Sequence, residues 1–379
     1  MKGNKHLPTV LVSLVILSLV VSACGPAATP APQVIKETVV VTKEVEKVVT
    51  QEVEKVVTKE VEKVVIATPV PMTKVNVCFS AASGTMSPAW YAFENDLFEK
   101  YNLDVNLVYI SSGSKAASAM IAGQVEFCQI AGSAVVNAVV AGEDLVLIGG
   151  LFNTYVYQLM VTPDIKTAED LKGKAVAISK PGSSSDAAIR AAIESLGLKP
   201  DDEVAILAVG SQPERVAAME TGAVAGTVVS VPETIEAKEQ GYITLVDMAE
   251  LGIPFQHTAL ATTRSYIEQN PEAVTNFTKA MVEAIALMKE DKEGTMEVMA
   301  EYMLLDVEED APSLTEAYDV LILGFLPKVP YPTLDGVQTL LTKRAKKDPK
   351  AAEVKPEDVT DLSFVKELED SGFIDALYK

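Results

Sequence analysis

Basic residues are scarce in this chain. Lys and Arg total 32 against 53 Asp and Glu, a formal net charge of −21. Phosphate backbones need Lys and Arg to neutralise them, so nucleic acid is excluded as a partner. Long-range steering of an anionic ligand is disfavoured for the same reason. Histidine is nearly absent: His6 and His257 stand alone, and neither sits in a His-Glu-x-x-His pattern. The cysteines are Cys24, Cys78 and Cys128, with no paired spacing among them. Metal-site and Ser-His-Asp motifs are therefore both missing, and no cofactor or metal is expected. Beyond the amino-terminal segment, no apolar run reaches the roughly 18 residues that suggest a membrane span.

What is present begins with a secretory signal. Lys2 and Lys5 precede an apolar run from Val10 to Val21, followed by Ser22-Ala23-Cys24. A positive start, an apolar stretch too short to span a bilayer and small residues before a cut site have that meaning. A Cys directly after the small residues resembles a bacterial lipobox, in which residues 1–23 are removed and Cys24 carries lipid. The alternative is an ordinary signal with an incidental Cys. A lipidated Cys24 places the rest of the chain outside the cytoplasm, anchored to the membrane without crossing it.

Residues 24–73 read as a linker and stalk. Gly25–Pro32 is small and Pro-rich, hence a flexible lead. Val41–Val48, Val49–Val56 and Val57–Val64 then repeat a Val-Thr-x-Glu-Val-Glu-Lys-Val octad. Eight residues overshoot two helical turns by about 80°, so the apolar stripe drifts instead of forming one seam. Glu44 and Lys47 stand at a helical pairing distance, while Val and Thr weaken a lone helix. The segment is a spacer, helical or extended, that stands the body off the membrane.

From Lys74 the pattern changes. Strand-like runs cover 75–80, 105–110, 125–130, 145–151, 175–179, 204–209, 226–229 and 244–247, with helical stretches between them. This alternation predicts an α/β fold of βαβ units and parallel sheets. After Pro271 the chain reads as mainly helical. Cys78 and Cys128 both fall in strand-like runs. They are either bridged, as an extracytoplasmic compartment allows, or buried free thiols.

In such sheets a ligand binds beyond the carboxyl ends of the strands. The loops there are Ala81–Pro88, Ser111–Ser114, Ala131–Ser133, Lys180–Asp186, Gly210–Pro213 and Ser230–Pro232, and every one carries a Ser. Each Ser either caps a helix or offers its hydroxyl to a ligand. Together the loops predict a polar cleft.

These motifs resemble the substrate-binding component of ABC importers, in the group that binds sulfonates, nitrate and thiamine-precursor pyrimidines. The resemblance is carried by Ala92–Val105, by Ser112-Gly113 before Ala122-Gly123, by Asp170–Lys174 before Gly182-Ser183, and by Gly222 before Pro232. Two positions depart from the pattern: Glu126, and Ala225-Gly226, where the family often has Asp. The resemblance implies a two-lobed type II periplasmic-binding-protein fold. Residues 74–161 with 255–379 form lobe I, and 162–254 form lobe II. Hinge segments fall near Tyr155–Val161 and Phe255–Ala261. It also implies a small-molecule ligand and permease and ATPase partners.

For the ligand, the candidate loops offer few cations, Lys115 and Lys180, whereas aromatic residues cluster. Trp90, the single tryptophan, with Tyr155 and Tyr157, suggests a flat heteroaromatic ligand held by stacking, a vitamin or precursor such as riboflavin or an aminopyrimidine. Asn153 would read its polar edge, and Ser83, Met86, Ser112, Ser183, Ser184 and Ser230 would complete the site. The alternative is a small anion: alkanesulfonate, taurine or nitrate. A remote alternative is an enzyme resembling the thiamine-pyrimidine synthases. That chemistry would need a Schiff-base Lys, a sacrificial His and a Cys-rich iron motif, so binding without catalysis is expected.

Overall fold

The structure, a computed structural model, describes residues 71–379. The expected signal, Cys24 and the octad repeat lie outside the described residues. Two five-stranded sheets organise the described chain. The first has the order β2-β1-β3-β10-β4, from β1 (Thr73–Phe79), β2 (Leu103–Tyr109), β3 (Phe127–Ala131), β4 (Leu145–Thr154) and β10 (Pro254–Thr263). The second has the order β7-β6-β8-β5-β9, from β5 (Gln158–Val161), β6 (Ala175–Ile178), β7 (Ala205–Ala208), β8 (Gly226–Val229) and β9 (Ile243–Asp247).

Helices follow the strands as the alternation predicts. They are α1 (Ser87–Glu94), α2 (Leu97–Lys100), α3 (Gly113–Ile121), α4 (Gly132–Val140), α5 (Ser184–Ser195), α6 (Gln212–Glu220) and α7 (Glu233–Glu239). The helical stretch between the first two strand-like runs is broken at Asn95-Asp96, where Asp96 adopts a left-handed φ of 54°. After β10 come α8 (Arg264–Gln269), α9 (Pro271–Glu290), α10 (Lys292–Met303), α11 (Ala311–Ala317) and α12 (Leu334–Ala345). Among the described residues, no helix is long and apolar enough to cross a membrane.

The sheets are not purely parallel. β5 runs antiparallel to β8 and β9, and β10 antiparallel to β3 and β4. Both strands lie in segments read from sequence as crossings. Their direction has a geometric cause. The chain leaves each sheet at the edge where strands end and enters the other sheet from that same edge. The receiving strand therefore begins where its neighbours finish. Gln158–Val161, expected in lobe I, pairs in the second sheet; the first crossing is only Tyr155-Val156-Tyr157.

Packing follows the apolar pattern. One cluster runs from Cys78 and Leu147 through Tyr155 and Phe255 to Leu159 and Val176, so a single core continues through the crossing. A second lies on the other face of the first sheet, where Phe127 stacks on Phe277 of α9 at 4.2 Å and Phe277 on Phe98 at 5.8 Å. Stacked aromatic pairs contribute about 1 kcal/mol each beyond burial. Cys78 and Cys128, paired in register across β1 and β3, form a fully buried disulfide, which resolves the choice left open by the sequence.

Candidate functional site

The carboxyl ends of the strands in the two sheets enclose a cavity of about 200 Å³. Ser80 and Ser112 follow β1 and β2 and Ala131 ends β3 on one side; Ser179 and Gly210 follow β6 and β7 on the other. On one flank the two sides touch. Ser114 Oγ of α3 donates to the Pro181 carbonyl at 2.8 Å, and Asn137 Nδ2 and Ser133 Oγ of α4 donate to the Gly182 carbonyl at 3.2 and 3.3 Å. Gly182 has φ +80°, and a Cβ there would lie 3.0 Å from Asn137 Nδ2, so a side chain would strain the turn and crowd the contact.

The serines divide between capping and lining. Ser183 accepts from the Asp186 N–H, and Ser211 forms a capping box with Glu214, so both satisfy helix termini. Ser112 behaves differently. It precedes α3 with φ 90°, makes no side-chain cap and has a buried hydroxyl with no partner among the described residues. Ser179, Ser183 and Ser185 link their hydroxyls at 2.9–3.0 Å, and Ser184 pairs with the Tyr157 hydroxyl at 2.9 Å. His257 also lines the cavity. Its Nδ1 meets Thr258 Oγ1 at 2.8 Å while its Nε2 has no partner among the described residues. Burial pushes its pKa down to about 3, so the imidazole is neutral near pH 7.

Arg215, in the first turn of α6, is the least expected member. It is 2 % exposed and lines the cavity. Nε donates to Thr227 Oγ1 at 2.9 Å, Nη1 to the Gly210 carbonyl at 2.8 Å and Nη2 to the Val228 carbonyl at 2.8 Å. Those acceptors are neutral and use three of its five N–H groups. Among the described residues no carboxylate reaches it at ion-pair distance, the nearby acids acting only through the field. Burial pulls its pKa below the ordinary arginine value, because a desolvated charge is costly. With Lys115 and Lys180, it gives the lining three cations against one carboxylate, Glu214, in a chain of net charge −21. The Glu214 carboxylate is itself committed to the Ser211 N–H and hydroxyl, which hold its pKa below the ordinary range.

Of the residues singled out from sequence, Ser83, Met86, Ser112, Tyr157, Ser183 and Ser184 line the cavity. Four do not. Trp90 is 0 % exposed, stacked on Tyr302 at 4.9 Å and edge-on to Phe79 at 5.5 Å, because the apolar face of α1 packs inward. Tyr155 is stacked on Phe255 at 3.8 Å in the core. Asn153 is occupied: its Nδ2 donates to the Tyr331 carbonyl, and its Oδ1 accepts from Gln256. Ser230 lies behind Gln212, to which its N–H donates at 2.8 Å, and Gln212 takes the place at the wall. Arg215, Gln212 and Tyr109 were missed. A residue in the first two turns of a helix that follows a cleft-edge strand was the available signal.

A family model described as NMT1/THI5 like matches residues 84–294. No curated protein sequence matches the chain. Among solved structures, a protein of Bordetella bronchiseptica RB50 is similar with TM-score 0.68 and 20 % identity, covering 79 % of this chain and 98 % of that one. The alkanesulfonate-binding protein SsuA from Xanthomonas axonopodis pv. citri, bound to MOPS, gives 0.64 and 17 %, covering 77 % and 99 %. The periplasmic nitrate-binding protein NrtA from Synechocystis PCC 6803 gives 0.67 and 17 %, covering 79 % and 89 %. These likenesses show the two-lobed fold of type II periplasmic binding proteins.

Proposed function

The chain belongs to the NMT1/THI5-like family, and we propose that it is the extracytoplasmic solute-binding component of an ABC importer that captures a small oxyanion. One observation carries the ligand class. Arg215 is a buried cation at the cavity wall with no carboxylate at ion-pair distance among the described residues. A buried charge without a counter-charge is costly, and an anion in the cavity supplies one. The free Ser112 hydroxyl gives such a ligand a further partner. Solved relatives in shape include proteins named as binding alkanesulfonate and nitrate. The heteroaromatic reading loses two of its three aromatic supports, because Trp90 and Tyr155 spend their faces on other side chains.

Thermal melts with a ligand panel test this reading. Methanesulfonate, taurine or nitrate at a hundredfold excess over Kd should stabilise the protein by about 2.7 kcal/mol, a rise of several degrees. Riboflavin and aminopyrimidines should leave the melt unchanged, and no turnover of bound ligand is expected. Stabilisation by the heteroaromatic panel alone would sink the oxyanion reading.

The tether belongs to the same proposal. Cys24 would carry the lipid, and the octad repeat would hold the body near its permease, replacing free diffusion with a high local concentration. Cys24→Ala is expected to release the protein from the membrane fraction and impair uptake, with the affinity of the purified protein unchanged. Membrane retention of that variant would exclude the lipid anchor.

A further inference from the structure

Although no acid among the described residues pairs with Arg215, one stands behind it. Glu233, the first residue of α7, is 5 % exposed. Its Oε1 accepts a long bond from Gln212 Nε2 at 3.3 Å, and its Oε2 has no partner among the described residues. Gln212 and Arg215 both line the cavity and both belong to α6, so the acid sits one side chain away from the ligand space. A carboxylate here would leave a charged oxygen without a donor. The carboxylic acid form leaves only a neutral group.

The surrounding charges have unequal reach. Arg215 faces Glu233 from α6 and favours its ionised form, whereas Glu236 on its own helix disfavours it. Asp310, just before α11, acts on Glu236, and Tyr157 at the crossing shares the field of both Glu233 and Arg215. Burial is the largest influence and outweighs the opposing hold of Glu233's own backbone N–H; Glu236 adds to it, and the Glu233 pKa is pushed up to about 8.

Resting on the oxyanion reading, we propose that Glu233 is a switchable counter-charge: neutral, it leaves Arg215 free to hold an anion; ionised, it compensates Arg215 and weakens that hold. The coupling is reciprocal. An anion beside Arg215 further disfavours the ionised acid, so binding near pH 8 draws a proton from solvent onto the free Glu233 oxygen.

Calorimetric titration with methanesulfonate and with nitrate tests this, in Tris and triethanolamine, which carry no sulfonate of their own. Affinity should be highest at pH 7 and fall by up to roughly tenfold by pH 9, the limit that linkage through a group near 8 sets. At pH 8 the binding heat should differ between the two buffers by an amount that reports fractional proton uptake. Glu233→Gln keeps the shape of the side chain. It should bind with the pH 7 affinity of the parent, lose the pH dependence and take up no proton. The parent measurement stands even if that variant folds poorly. Affinity that stays flat from pH 7 to 9, or a fall that persists in Glu233→Gln, overturns the inference while leaving the oxyanion reading intact. Failure of both anions to bind at pH 7 overturns the two together.

Discussion

Arg215→Gln is expected to weaken anion binding by about 100-fold or more. Removing one partner of a desolvated charge pair typically costs about 2–5 kcal/mol, and each 1.4 kcal/mol is roughly tenfold in affinity. The substitution also removes the three bonds by which Arg215 ties α6 to the Gly210 loop and to β8. Those are worth about 1 kcal/mol each, partly offset because a buried charge disappears. A melting curve recorded beside the titration separates the two effects. Arg215→Lys sharpens the test: it retains the charge but not the planar fork, so intermediate affinity is expected. A folded Arg215→Gln protein that binds methanesulfonate or nitrate as tightly as the parent would remove the basis of the oxyanion reading.

The double substitution Cys78→Ala/Cys128→Ala is expected to produce the largest loss of stability. The bridge joins positions 50 residues apart. In the chain-entropy account, a loop of that length restrains the unfolded state by about 4 kcal/mol. For a body of this size that corresponds to a drop on the order of 10 °C in Tm. Both residues are fully buried in the central strands β1 and β3, so little of the loss should be recovered by relaxation at a surface. The same drop should follow when the parent is unfolded and refolded under a strong reductant. Coincident melts of parent and variant would show that the sheet holds without its bridge. The bridge also fits an oxidising compartment, where disulfides persist.

Much of the fold was legible in the chain. The runs that became β1 to β4 and β6 to β9 are apolar, short and separated by helical periodicity. β5 and β10 were legible only as crossings. Phe255–Ala261 mixes Gln256, His257 and Thr258 with apolar residues, and those polar groups are buried through bonds that no local pattern reveals. The serine loops were visible because their position follows from strand ends. Arg215 was not, since Pro-Glu-Arg-Val reads as an ordinary solvated helix start. Its burial depends on Thr227 and Val228, which are close only after β8 is in place. Trp90 erred in the opposite direction. Its rarity suggested a role at the ligand, while its neighbours Ala89 and Tyr91 already marked a helix that packs inward.

The contact between Asn137, Ser133, Ser114 and the turn at Pro181-Gly182 sets what it would cost to part the two sides on that flank. Hydrogen bonds to two consecutive carbonyls tie α3 and α4 to the opposite side. At about 1 kcal/mol each they amount to roughly 3 kcal/mol, and the nearby exposed pairs Lys346–Glu194 and Lys347–Asp201 add little. A free-energy gap of that size is close to what one small ligand contributes at a hundredfold excess. An arrangement with these contacts broken would therefore lie within reach of a single binding event. A mutation at Gly182 would lower the cost of breaking them without touching a ligand.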